Sequence, residues 1–268
     1  MPTARIASKP TRRLMPASRL LVALWLAAVA ATSLASAAMA VVGAEPMPGG
    51  WMLSNAWIRP CGRTPIGLTL AFLAHWLAMT AAMMLPSFAP MLQHCDAAMP
   101  GDDAALRDRA LPRIALGWFA AWAMAGVGVL AIAVATTKLA LGMPAFARAV
   151  PFAAAALVLV AGLLQASAWK SRHLAACRAA CRHDRRVPPK HPARHGLWLG
   201  RHCIHACAGW MASLLAIDAM DLRLMALVTL AIAAERLARD GGRVRETGAA
   251  GLIGAGIALL ARAAMAAA

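Results

Sequence analysis

A chain of 268 residues that is 61% hydrophobic and only 14% charged carries more apolar surface than a water-soluble domain of its size can bury. Its net charge of +16 would point a soluble protein toward nucleic acid, but the Lys and Arg gather between apolar runs, which excludes nucleic-acid binding and makes lipid the expected solvent. No Walker loop, dinucleotide fingerprint, nucleophile elbow or zinc-protease helix is present, so hydrolase and nucleotide-driven chemistry have no support and an enzyme is not the favoured class.

Residues 1–18 hold Arg5, Lys9, Arg12 and Arg13 and read as a basic cytoplasmic N-terminus. The apolar run that follows, 19–42, is long enough to cross a bilayer, which needs roughly 17 to 25 residues. Its small-residue tail Ala35-Ser36-Ala37-Ala38-Met39-Ala40 also fits a signal peptide with a cleavage site, and the uncleaved reading is preferred on length. From Glu45 to Pro65 the Pro, Gly, Trp51 and Trp57 predict an outer connector with its indoles at headgroup level. Further spans are expected at about 65–86, 114–137, 150–169, 197–217, 222–237 and 248–267, making about seven.

Only Met220 to Arg223 separates the fifth run from the short sixth, a tight helical hairpin. The polar stretch Lys170 to His195 is too short to build a core of its own and reads as a basic cytoplasmic loop. Gly248, Gly251, Gly254 and Gly256 would let the last span approach its neighbours closely. With the N-terminus cytoplasmic, 21 Lys and Arg fall inside and 6 outside, the bias expected of such a topology. The expected architecture is therefore all-α: a polytopic transmembrane bundle forming a single membrane domain over 19–268.

Sulfur and imidazole concentrate near the inner side. In Arg201-His202-Cys203-Ile204-His205-Ala206-Cys207 the two cysteines lie one helical turn apart on one face, where two thiolates can share a metal ion. His202 and His205 are expected to project on either side of them, and Asp218 and Asp221 would extend the same face if the helix ran on. In the second span His75, Met79 and Met83 follow at intervals of four, with Met84 beside them. Thioethers suit Cu(I), and imidazole suits copper or zinc.

At about 1.5 Å per residue, Met79, Met83, Cys203 and Cys207 come to one level in the inner half of the bundle. Gln165 is placed to join them as an oxygen ligand or orienting group. A third set, His173, Cys177 and Cys181, again runs at intervals of four, and reduced cytoplasmic thiols are better read as metal or redox groups than as disulfides. His94 and Cys95, with Asp96, Asp102 and Asp103, read as a solvated loop, and Glu235-Arg236 as an interfacial ion pair unless Glu235 faces the bundle, where it would carry a proton or cation. The plain alternative throughout is that Met fills gaps and Cys packs as a small hydrophobe.

Trp76, Met79, Thr80, Ala82, Met83, Met84 and Pro86 are similar to the Trp-x-x-Met-Thr-x-Ala-Met-Met-x-Pro signature of the predicted metal-binding integral membrane proteins of bacteria, a family without an established activity. The resemblance runs from about Ile66 to Ala261. Gln165, Lys170, Cys177 and Arg178 resemble a second segment of that family, and Cys203 and Cys207 its cysteine cluster. Met220-Asp221-Leu222, Met225-Ala226, Thr229 and Glu235-Arg236 resemble its closing elements. The chain departs from the pattern at His173, where the family usually has Cys, and at Ala206, which removes one of an adjacent Cys pair.

What the resemblance implies is a metal-binding protein of the bacterial cytoplasmic membrane. The leading expectation is a protein that binds, and transports or delivers, copper or zinc through Met79, Met83, Cys203 and Cys207. His75 would lie further along the path, His202 and His205 would be further candidate ligands beside the cysteines, and His173, Cys177 and Cys181 would exchange the ion on the inner side. Expected partners are the lipid bilayer, the ion, and either a second copy or a soluble metal carrier. The rivals are a membrane thiol or haem redox protein, with His75, His202 and His205 as axial ligands, and a scaffold without chemistry.

Overall fold

The computed structural model describes residues 14–42, 44–48, 51–54, 65–97, 104–179, 191–218, 221–238 and 240–268. Among these there are eight helices and one small hairpin. Cys61, Trp57, Cys181 and Met220 lie outside the described residues.

Helix α1 spans Leu14–Val42, and the chain then forms a two-stranded antiparallel hairpin, β1 (Ala44–Met47) with β2 (Trp51–Ser54), in the register Ala44↔Ser54 to Met47↔Trp51. The connector read from its Pro and Gly is thus partly ordered as strand. Helix α2, Pro65–Ala97, does not stop at Pro86 as the sequence predicts but runs on through Pro86 and Pro90. Pro86 has no N–H to give the carbonyl of Ala82 one turn back. The Trp25 indole of α1 donates to that oxygen instead, at 3.0 Å, so the group that proline leaves open is satisfied by the neighbouring helix.

Helix α3 covers Ala104–Gly142 and α4 Pro144–Ala166. Ser167, extended at φ −69° and ψ 151°, ends α4, and α5 (Ala168–Ala179) starts at once. Ser167 Oγ accepts from the Lys170 backbone N–H at 3.3 Å, a capping contact that starts the new direction. Helices α6 (Pro192–Ile217), α7 (Leu222–Leu237) and α8 (Gly241–Ala267) complete the chain. Asp221 caps α7, its Oδ1 accepting from the backbone N–H groups of Arg223 at 2.7 Å and Leu224 at 3.3 Å.

The densest packing joins α3 to α6 and α4 to α8. At the first crossing a Cβ on Gly196 would sit 2.0 Å from the Ile114 carbonyl oxygen, and one on Gly117 2.1 Å from that of Ala193, so only glycine lets these backbones meet. In α8, Gly248 and Gly256 pack on Trp210 and Leu159, whereas Gly251 and Gly254 face open space.

Among the described residues four helical stretches are long and apolar enough to cross a membrane: Ile66–Gln93, Arg109–Gly142, Pro144–Ala166 and Gly241–Ala267, with Val22–Ala38 a shorter apolar stretch. Three of the seven expected spans fall short among the described residues, the first because its apolar stretch in α1 covers only Val22–Ala38 and the other two for visible reasons. Helix α6 carries Arg194, Arg201 and three histidines, and α7 has 16 residues, about 24 Å at 1.5 Å each against a hydrocarbon core of about 30 Å. Large apolar side chains such as Leu116, Ile132, Leu163 and Leu230 nonetheless point outward, while one buried core joins Trp76, Met84, Trp118, Cys203, Leu214 and Ile232.

Candidate metal centre

Helix α6 sets Cys203 and Cys207 one turn apart on its inward face, both buried and both free thiols. Three further elements close over them. From α2, the Met84 thioether lies 3.9 Å from Cys207 Sγ. From α7, Arg236 Nη2 donates to Cys203 Sγ at 2.9 Å and to Cys207 Sγ at 3.1 Å, while Nη1 lies 3.4 Å from Ser87 Oγ of α2. From α5, the buried Cys177 stands within electrostatic reach of Cys203 and Arg236, and burial pushes its thiol up to about 12, against the pull of the guanidinium.

The sulfur atoms of two separate helices do meet, but through a different methionine from the pair the spacing selects. Met79 and Met83 are buried in the same core, whereas the thioether in contact with a cysteine is that of Met84. One residue is a turn of about 100° about a helix axis. The α2 residues that reach the cysteine and arginine of this site are Met84 and Ser87, three apart.

Glu235 and Arg236 are adjacent in sequence and diverge in space. Instead of an interfacial pair, Glu235 is almost fully buried, with Oε2 2.5 Å from Lys170 Nζ. Its Oε1 accepts from the Trp210 indole at 3.0 Å and from the Gln165 amide. Arg178 donates to the Glu235 backbone carbonyl. This cluster ties α4, α5, α6 and α7 together, and a buried carboxylate with a cation and two further donors is a satisfied one. Gln165 is therefore committed through its amide nitrogen to Glu235, while its Oε1 is buried without a partner among the described residues.

The histidines form a second group. His202 and His205, expected on opposite sides of the cysteines, both meet His173 of α5: His173 Nδ1 lies 2.8 Å from His202 Nδ1, and the rings of His173 and His205 stack with centroids 4.7 Å apart. Trp169 abuts His173 and His205, and Trp198 abuts His202. His205 Nδ1 is held by the Arg201 carbonyl at 2.7 Å. Burial first, and then the neighbouring His205, His202 and arginines, pull the His173 imidazole below its usual range.

The remaining expected residues lie elsewhere. His75, on α2, has both ring nitrogens buried without partners among the described residues. Asp218 and Asp221 are exposed at the α6 to α7 turn, Asp221 serving as a helix cap, so neither continues the cysteine face. Cys95 is buried and disulfide-bonded rather than part of a solvated loop. Among the described residues no group of three or more His, Cys, Asp and Glu side chains forms a metal cage. What the bundle offers is an open set of two thiols and a thioether, of the soft donor type that suits monovalent copper.

Sequence inspection missed Arg236 as part of this site and Lys170 as the partner of Glu235. The available signal was an adjacent Glu and Arg inside the apolar α7, since ionisable groups there are costly unless paired.

The bundle thus brings two buried thiols and a thioether together, donors of the soft type. The chain matches the sequence model of the family described as "PpoB2: Copper chaperone" over residues 73–259, and it belongs to that family. The matched region runs from α2 into α8 and includes Met84, Cys177, Cys203, Cys207 and Arg236. The expected kinship with a metal-related family holds, and the description names copper. No curated protein and no solved structure matches the chain.

Proposed function

We propose that the protein is a multi-pass copper chaperone of the bacterial cytoplasmic membrane that holds Cu(I) between Cys203, Cys207 and Met84 and hands it to an acceptor. The observation that carries this reading is the contact of sulfur atoms from α2 and α6 inside the bundle, with Met84 Sδ 3.9 Å from Cys207 Sγ. Two thiolates and a thioether favour Cu(I) over zinc, which takes imidazole and carboxylate readily and commonly four ligands. An open set also allows release, which a closed cage of thiolates resists.

The four long apolar helices, the outward leucines and the distribution of Lys and Arg support the membrane location. On this reading α1, α6 and α7 complete a bundle of about seven spans in one membrane domain over 19–268, with the N-terminus cytoplasmic. His173, His202 and His205 receive or pass on the ion at the inner side, with Cys177 and Cys181 as further thiols on that route, and a soluble carrier or a second copy is the exchange partner. Met79, Met83 and His75 line the deeper course of α2.

Local geometry argues against the redox reading. Positions one turn apart on a helix keep their Cβ atoms about 5–6 Å apart, beyond the 3.5–4.5 Å of a disulfide. Of the three histidines read as axial ligands, His202 is already engaged, its Nδ1 lying 2.8 Å from His173 Nδ1.

The test is copper stoichiometry of the full-length protein in detergent, loaded under reducing conditions and desalted. Wild type should retain copper and Cys203→Ser/Cys207→Ser should lose it. Equal retention by the two proteins would end the claim.

A further inference from the structure

Arg236 occupies the position that a bound ion has to contest. Its Nη2 donates to both thiol sulfurs, at 2.9 Å and 3.1 Å, so the sulfur lone pairs a metal would use are already engaged by a cation. We infer that Arg236 is a built-in competitor: its guanidinium stands in for the ion in the empty site, leaves when a monovalent soft ion arrives, and returns to expel it. This rests on the reading of Cys203 and Cys207 as the copper site.

The charge inventory supports the exchange. A guanidinium does not lose its proton in proteins, so Arg236 can vacate the sulfurs only by moving. Replacing one positive charge with Cu(I) or Ag(I) keeps the buried charge beside the sulfurs constant. One guanidinium balances one thiolate, so the empty pair is neutral as one thiolate and one thiol, and a divalent ion stays balanced there only if the second thiol also gives up its proton from a desolvated interior. The nearest carboxylate in sequence, Glu235, is taken by Lys170, Trp210 and Gln165 and turned away from the site.

The arm also has somewhere to go. Arg236 stands in the last turn of α7, one residue before Leu237, where the terminal carbonyls of a helix lack intrahelical partners. Its Nη1 already lies 3.4 Å from Ser87 Oγ, and its Nε is buried without a partner among the described residues, so its hold inside the bundle is incomplete. In the exchange the two N–H···S contacts break and S–Cu bonds to Cys203, Cys207 and Met84 form. The copper stays Cu(I), and the second sulfur keeps its proton, so one cation replaces another with no change of charge.

Two properties follow together: preference for monovalent over divalent thiophilic ions, and ready release. The experiment titrates full-length protein in detergent with Cu(I) against a chromogenic chelator, and separately with Zn(II), using wild type, Arg236→Gln, Arg236→Lys and Cys203→Ser/Cys207→Ser. Arg236→Gln should hold Cu(I) about tenfold more tightly or better, the scale of one charge-assisted hydrogen bond removed from competition. It should release Cu(I) more slowly and gain affinity for Zn(II) by a larger factor still. Arg236→Lys, which keeps the charge but offers one nitrogen, should lie between. Weaker Cu(I) binding by Arg236→Gln, or an unchanged ratio of Cu(I) to Zn(II) affinity, overturns the inference.

A measurement on wild type alone guards against variants that do not fold. Ag(I) should bind and Cd(II), equally thiophilic, should not, and comparable uptake of both overturns the inference. Should Cys203→Ser/Cys207→Ser keep its copper, the sulfur site itself fails. Loss of copper in that variant with unaltered selectivity in Arg236→Gln removes only the competitor.

Discussion

Replacing Lys170 with Met removes the cation from a carboxylate that cannot reach water. Lys170 Nζ and Glu235 Oε2 are 2.5 Å apart, and both side chains are 3% exposed. Breaking one partner of such a buried pair costs about 3–5 kcal/mol, because the other charge is left uncompensated. Glu235→Gln should cost a similar amount by stranding the ammonium. The double variant Lys170→Met/Glu235→Gln keeps an acceptor for the Trp210 indole and buries no charge, so it should be more stable than either single variant. At roughly 2–4 °C per kcal/mol, each single change should lower the thermal midpoint in detergent by roughly 6–20 °C. Midpoints of the four proteins, read by tryptophan fluorescence, give the coupling directly. Additive losses in the double variant, or a Lys170→Met midpoint within a degree or two of wild type, would refute the assignment of this pair as the tie between α5 and α7.

Other consequences are open to direct measurement. Met84→Leu conserves volume but removes the thioether, and should lower Cu(I) affinity by at least about tenfold, the loss brought even by an outer partner of a metal ligand; Met79→Leu and Met83→Leu should leave it near wild type in the same chelator competition. Gly196→Ala places a methyl 2.0 Å from the Ile114 carbonyl oxygen and should destabilise the α3 to α6 crossing by about 1–3 kcal/mol, seen as a lower midpoint and a poorer yield of monodisperse protein. Because His173 is held below its usual range in the fold, the unfolded imidazole takes up a proton first. Its contribution to stability is therefore full above the unfolded value and falls away as pH drops below about 6.5. The midpoint of wild type should decline through that window more steeply than that of His173→Gln, and parallel profiles would count against the stacked histidines as the cause.

The helical class and most helix positions were legible because the apolar runs bounded by Lys and Arg are of helical rather than strand length. Helix faces were harder. Intervals of four in α2 select both the Met79 and Met83 stripe and, one residue round, the Met84 position, and only the neighbour across the interface decides which reaches a cysteine. The break at Ser167 carries neither Pro nor Gly, so nothing local announces that Lys170 will turn inward toward Glu235. Arg236 counted as one more basic residue on the cytoplasmic side, a tally that describes topology and is blind to a guanidinium folded back onto two thiols. The histidines could be seen to cluster, but His173 and His202 are 29 residues apart, and their contact depends on how α5 packs on α6.

Copper K-edge absorption spectroscopy on the Cu(I)-loaded full-length protein tests the sulfur site most directly. A nearest shell of sulfur alone, lost in Cys203→Ser/Cys207→Ser and reduced by one scatterer in Met84→Leu, is the result predicted here. A shell of nitrogen or oxygen would contradict it and move the ion away from Cys203, Cys207 and Met84.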